Sequence, residues 1–171
     1  IADTRPCEWV DVQVHDPLGR TRSARYALYR DESGPVAVVE LAQASGITLL
    51  SPAELNPLQT STYGTGEIIM DAFGRGCRRF IIGLGGSATN DGGTGMLEAM
   101  GFRFMDSTGK SISGCCGQKL SAIASIDSSN VATELIDSSF TVACDVDTVF
   151  YGENGASKGV SKLSAVNKYT S

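Results

Sequence analysis

Apolar and polar residues alternate through residues 8–14, with Val10, Val12 and Val14 on one side and Trp9 apart from them. A period of two predicts a half-buried strand. His15-Asp16-Pro17-Leu18-Gly19 is a turn signal, and residues 24–30 supply a second strand antiparallel to the first. A further turn over residues 31–35 leads to residues 36–41, a nearly continuous apolar run that predicts a third strand with both faces covered. Leu41-Ala42-Gln43-Ala44-Ser45 reads as a short helix closed by Gly46. Ser51-Pro52-Ala53-Glu54 reads as a helix start, with a serine cap, proline at the first position and an acid at the third.

Helical spacing returns over residues 65–73, with Thr65 as the expected N-cap and Gly74 or Gly76 as the stop. A short apolar strand is expected over residues 79–84, followed by a glycine-rich turn and a helix over residues 91–100 that Gly101 ends. Residues 102–105 and 140–144 read as strands, and residues 118–126 as a helix between them. This alternation of strand and helix predicts an α/β fold with a parallel sheet and crossover helices. The expected division places a smaller β-rich α/β lobe in residues 1–62 and an α/β lobe carrying the glycine-rich loop in residues 63–171.

Composition narrows the function classes. The chain has 171 residues, 42% of them hydrophobic and 19% charged, enough for a packed core. Its formal net charge of −5 and scattered arginines (Arg20, Arg22, Arg25, Arg30) give no basic stripe, which argues against nucleic acid as a partner. The arginines read as a solvated face. Cys7, Cys77, Cys115, Cys116 and Cys144 form no C-x-x-C pair, so a reduced, cytoplasmic protein is expected, without a zinc site. No apolar run is long enough to span a membrane, and no signal-peptide pattern opens the chain. The first residue is Ile, and the expectation is that the chain starts inside a longer protein or was trimmed.

Glycine is concentrated in residues 83–95, where Gly83, Gly85, Gly86, Gly92, Gly93 and Gly95 stand among Ser87, Thr89, Asn90 and Asp91. The segment leaves a buried strand and enters a helix, the place where open α/β sheets bind ligands. Free N–H groups and the positive end of a helix dipole suit phosphate or carboxylate there. Asp91 is expected at the mouth of the loop. Three other readings compete. Gly83-Leu84-Gly85-Gly86-Ser87-Ala88 fits the G-x-G-x-x-A dinucleotide fingerprint, with Asp106 as the ribose-binding acid of a nicotinamide-dependent dehydrogenase. Ser87 at a sharp strand-to-helix turn suggests a hydrolase, which would depend on His15, the one histidine, otherwise a solvated turn residue. The plainest alternative is a capped strand–helix connection. Two further places carry chemistry. Cys144-Asp145-Val146-Asp147 puts two carboxylates at a strand end, suited to Mg²⁺ or to a hydroxyl nucleophile. Residues 60–67 are a hydroxyl-rich helix entry and a second potential anion seat.

Taken together, these segments resemble the bacterial-type glycerate kinase family. The resemblance rests on Asp16-Pro17-Leu18-Gly19, Glu40-Leu41-Ala42-Gln43-Ala44-Ser45-Gly46, Asn56-Pro57-Leu58, Thr62-Tyr63-Gly64-Thr65-Gly66-Glu67, the loop of residues 83–95, and Cys144-Asp145-Val146-Asp147 with Tyr151-Gly152-Glu153-Asn154-Gly155-Ala156. It covers residues 8–157 and implies the central portion of a longer chain. Thr148 stands where the family usually has Asn, and Lys158-Gly159 follows Ser157 where an aromatic and a Pro-Gln-Lys-Gly stretch are usual. The implied fold has two α/β lobes, one Rossmann- or flavodoxin-like, with the site in the cleft between them. The implied activity is ATP-dependent phosphorylation of D-glycerate with Mg²⁺, in the cytoplasm, and a homo-oligomer is compatible with it. On this reading Gly85, Gly86, Ser87, Thr89, Gly92, Gly93 and Thr65 bind the cofactor or line the cleft. Asn90, Asp91 and Asp145 are the catalytic candidates, and Asp91 and Asp147 the metal candidates. A catalytically inactive binding module is the alternative for a chain that lacks the family's flanking segments.

Overall fold

The computed structural model describes residues 6–143. The chain opens with β1 (Glu8–His15), β2 (Thr21–Asp31) and β3 (Gly34–Glu40), an antiparallel meander with Val10 opposite Tyr26 and Leu28 opposite Ala37. A short helix α1 (Ala42–Ser45) and two 3₁₀ turns (Ile47–Leu49 and Pro52–Glu54) follow, then the long helix α2 (Tyr63–Gly74). β4 (Arg79–Gly83) returns parallel to β3, and after α3 (Thr94–Ala99) the chain enters β5 (Arg103–Met105) and β6 (Ser111–Ile112). A 3₁₀ segment (Gly117–Ala122), β7 (Ser125–Asp127), α4 (Thr133–Ile136) and β8 (Ser139–Ala143) complete the described elements.

The main sheet has the order β1-β2-β3-β4-β8, antiparallel on the β1 side and parallel from β3 onward. It therefore runs across the expected boundary at residue 62: Val38 of the first segment pairs with Ile81 of the second. The expected strand at residues 102–105 forms, but outside this sheet. It is the centre of a small antiparallel sheet, β6-β5-β7. The helix expected over residues 118–126 is replaced by the 3₁₀ segment and β7. Its apolar positions never gather into a covered stripe, and Ile126 is an exposed residue.

One core joins the sheet to α2. Val10, Val14, Tyr26, Ala37, Val39, Phe80 and Ile82 meet Ile68, Ile69 and Ala72 of the helix, all buried. Phe80 stacks on Phe140 at 4.9 Å between centroids, which ties β8 to β4. Burying residues of this size contributes about 1.5–3 kcal/mol each before conformational entropy is subtracted. α3 packs on α2, and the Glu98 carboxylate of α3 accepts from the N–H groups of Gly114 and Cys115, each at 2.8 Å, which anchors the small sheet. Burial, reinforced by Glu98, pushes the Cys115 thiol up to about 12. Cys77, Cys115 and Cys116 are free thiols, all buried.

Candidate functional site

The glycine-rich loop leaves the C-terminal end of β4 and divides into two parts with different surroundings. The first part, residues 84–87, is exposed. It is stitched to the α1 segment by hydrogen bonds from Ile47 N to the Gly86 carbonyl (2.8 Å) and from Ala88 N to the Ser45 carbonyl (2.9 Å). Gly86 has φ +72°, which turns the chain in a way that side-chain-bearing residues rarely adopt. Among the described residues, the N–H groups of Gly85, Gly86 and Ser87 meet no acceptor. The Ser87 hydroxyl lies 2.9 Å from the Thr89 hydroxyl and accepts from Thr89 N at 3.1 Å, so two hydroxyls sit together beside these three N–H groups. Consecutive exposed amides in a turn form an anion-binding concavity. A groove of about 340 Å³, bordered by Trp9, Arg25, Glu40 and Gln43, reaches Gly83 and Ala143 at the root of the loop.

The second part, from Asp91 to Gly95, turns inward. Asp91 is 1% exposed. Its Oδ2 accepts from Thr62 N (2.8 Å), the Thr62 hydroxyl (2.8 Å) and Gly95 N (3.1 Å), and its Oδ1 accepts from Gly93 N (3.1 Å). The next amide of α3, Met96 N, donates to the Thr62 hydroxyl at 2.9 Å. The opening amides of α3 are thus already taken. The anion that complements this helix start is the carboxylate of Asp91 itself. This corrects two expectations: Asp91 is not at the mouth of the loop, and the helix N-terminus is not an open anion seat. The helix also begins three residues later than its sequence pattern indicates, because Gly92 and Gly93 have positive φ (61° and 77°) and form the turn that lets Asp91 fold back.

A fit of these features to known proteins decides the family. The model of the glycerate kinase family matches residues 1–161. The chain belongs to the glycerate kinase family. It is 46% identical to a glycerate kinase of Halalkalibacterium halodurans over 156 residues, 91% of this chain and 40% of that protein. It is 42% identical to the glycerate 2-kinase of Escherichia coli K12 over 145 residues, 85% of this chain and 37% of that one. A putative glycerate kinase 2 from Salmonella typhimurium LT2 superposes with a TM-score of 0.82 at 37% identity, over 98% of this chain and 47% of that structure. The chain therefore spans less than half the length of these glycerate kinases.

Within this family segment the remaining candidates fall in distinct places. Thr65 does not cap α2 or line a cleft. It is fully buried in the first turn, with its hydroxyl 2.8 Å from that of Ser45, and Thr62 takes the N-cap position. Gly92 is exposed and Gly93 half-buried on the turn before α3, and Asn90 is half-buried next to Asp91. Asp145 and Asp147 lie outside the described residues. Among the described residues no group of three His, Cys, Asp or Glu side chains is arranged to hold a metal ion. The ribose role of Asp106 is lost. Its carboxylate closes the β5–β6 turn by accepting from Thr108 N (2.8 Å), the Thr108 hydroxyl (2.6 Å) and Lys110 N (3.0 Å). The hydrolase reading lacks its Ser–His pair: among the described residues the Ser87 hydroxyl pairs with that of Thr89, and His15, with Nδ1 2.9 Å from Glu67 Oε1 on α2 and Tyr63 edge-on to its ring, makes no hydrogen bond to Ser87.

Sequence reasoning missed Asp16, Thr62 and Ser45 as site-building residues. Asp16 is 7% exposed and organises the turn after β1. Its Oδ1 accepts from Leu18 N and Arg20 N, both at 2.9 Å, and its Oδ2 from Arg20 Nε at 2.6 Å. Burial alone would raise this carboxyl, but the hydrogen bonds from Arg20 and Leu18 outweigh it and hold the group below its ordinary value. Arg20 reaches on to Glu54 at 2.7 Å, and Ser61 N donates to the Pro17 carbonyl at 2.9 Å, so the same turn steadies the approach to Thr62. The Asp-Pro-x-Gly turn signal was visible; the contact with residue 61 was not.

Proposed function

We propose that this chain supplies the phosphate-binding loop of a glycerate kinase, an enzyme that transfers the γ-phosphoryl group of ATP to a hydroxyl of D-glycerate. The observation that carries this reading is the run of three exposed N–H groups, Gly85 to Ser87, beside the paired hydroxyls of Ser87 and Thr89. Phosphoryl transfer needs its charged groups positioned and neutralised, and a rigid set of N–H donors does both without side-chain rearrangement. The loop takes phosphate oxygens of ATP, and the groove at its root gives the rest of the nucleotide a place across the main sheet. Asn90, half-buried next to Asp91, is the side chain proposed to orient the bound anion. Asp91 serves as the fixed counter-charge of α3 that sets the loop's shape, with its lone pairs already engaged. Mg²⁺ would neutralise charge on the phosphates; Asp145 and Asp147 are the carboxylates proposed for it and for the reacting hydroxyl. The substrates are cytoplasmic small molecules in this reading, with no nucleic acid involved.

The test is a coupled ADP-release assay with ATP, Mg²⁺ and D-glycerate. The protein assayed is E. coli glycerate 2-kinase in which this chain replaces the matching segment. Turnover within about tenfold of the unmodified enzyme is expected, since a fully compatible loop changes transition-state stabilisation by little. A chimera that folds but releases no ADP on adding D-glycerate contradicts the assignment and favours the inactive binding module.

A further inference from the structure

We propose that Thr62 and Thr65, three residues apart at the start of α2, are positioning residues that lock the two ends of the glycine-rich loop. Its geometry stands by itself; its consequence for binding rests on the loop being the phosphate seat proposed above. Each threonine holds one end. Thr62, 4% exposed, donates through both its N–H and its hydroxyl to Asp91 Oδ2, and the same hydroxyl accepts from Met96 N. One hydroxyl thus bridges the end of the loop and the first turn of α3, using its donor and an acceptor lone pair together. Thr65, fully buried, pairs its hydroxyl with that of Ser45 at 2.8 Å. The carbonyl of Ser45 accepts from Ala88 N, and the neighbouring Ile47 N donates to Gly86. The Thr60 hydroxyl, just upstream of α2, donates to the Ala88 carbonyl at 2.9 Å and braces the same point.

The exposed amides of Gly85, Gly86 and Ser87 therefore hang between two fixed points, Ala88 with Gly86 on the Thr65 side and Asp91 on the Thr62 side. The loop itself is glycine-rich and flexible by composition, so its preorganisation comes from α2, which is seated in the core through Ile68, Ile69 and Ala72. Valine has nearly the shape of threonine but no hydroxyl. At position 65 it leaves the Ser45 hydroxyl buried without its partner, and at 62 it removes the hydroxyl's contacts with Asp91 and Met96 N while the backbone N–H stays on Asp91. Serine retains the hydroxyl at either position.

Hydrogen exchange of the 171-residue chain, followed by mass spectrometry, tests the lock in T62V, T62S, T65V and T65S. In T65V, peptides carrying the bonded amides of Ile47 and Ala88 are expected to exchange about tenfold faster, as loss of a buried hydrogen bond implies, while β1 and β2 exchange as in the parent. T65S should behave as the parent. T62V should loosen residues 91–96 in the same selective way and T62S should not; if T62V does not fold, the T65 pair decides. ATP affinity, measured by calorimetry, should weaken about tenfold in the valine variants and recover in the serine ones. Unchanged loop exchange in T65V, or acceleration spread evenly over all amides, overturns the proposal. Selective loosening in a parent chain that binds no ATP would uphold the lock and reject the phosphate seat.

Discussion

Asp91 shows how far residue type and burial can diverge. An acid among glycines, serine and threonine at a strand–helix junction reads as chemistry. In the fold it is an internal counter-charge with four hydrogen bonds and almost no exposure. Asp91→Asn separates the two roles. An amide cannot accept at both of its ends, so one N–H donor, of Gly93 or of the Thr62–Gly95 group, would face an NH₂. The expected cost is roughly 1–3 kcal/mol of stability, that of one unsatisfied buried donor, read as a lower urea midpoint at unchanged slope. A variant with parental stability would return Asp91 to the surface of the site. The sequence displayed the chemistry-bearing residues of the loop, including Ser87 and Thr89, because their types and spacing are local properties. It could not display that Thr62, 29 positions earlier, closes on Asp91.

Among the elements, the loop's glycines divide by what surrounds them. A Cβ on Gly95 would collide with Ser61 Oγ and come within 2.9 Å of Asp91 Oδ2 and Tyr63 N, so this residue is required for α3 to lie against α2. A Cβ on Gly85 would meet nothing within 4 Å, and its φ is not in the left-handed region. Gly95→Ala should therefore lower the melting temperature markedly. Gly85→Ala should leave it unchanged, yet weaken ATP binding about tenfold by holding the anion off the N–H groups. Equal melting temperatures for the two variants would contradict this division, as would parental ATP affinity in Gly85→Ala. Element boundaries follow the same logic. β1, β2, β3, β4 and α2 carry clear periodic signals and form close to where the pattern places them. The stretch of residues 118–126 has apolar residues at helical intervals, but Leu120 and Ile123 are only half-buried and Ile126 is exposed, so no covered face rewards a helix.

Across the whole molecule, local pattern gave the α/β class but not the strand order. Each strand's period of two is written in its own residues, whereas the partner of β3 depends on the crossover through α2, and the sheet consequently joins segments assigned to separate lobes. The same crossover brings the N-terminal turn of α2 beneath the loop that leaves β4. The result is a loop whose exposed N–H groups, those of Gly85, Gly86 and Ser87, are proposed as the phosphate seat and are flanked by contacts anchored in the core. The most direct measurement of that seat is an amide-nitrogen NMR titration of the chain with MgATP and, separately, with D-glycerate. The account predicts saturable shifts on MgATP addition at Gly85, Gly86, Ser87 and Thr89, with Gly93 and Gly95, already bonded to Asp91, moving little. Shifts at those four amides with D-glycerate alone, or none with MgATP, would contradict it.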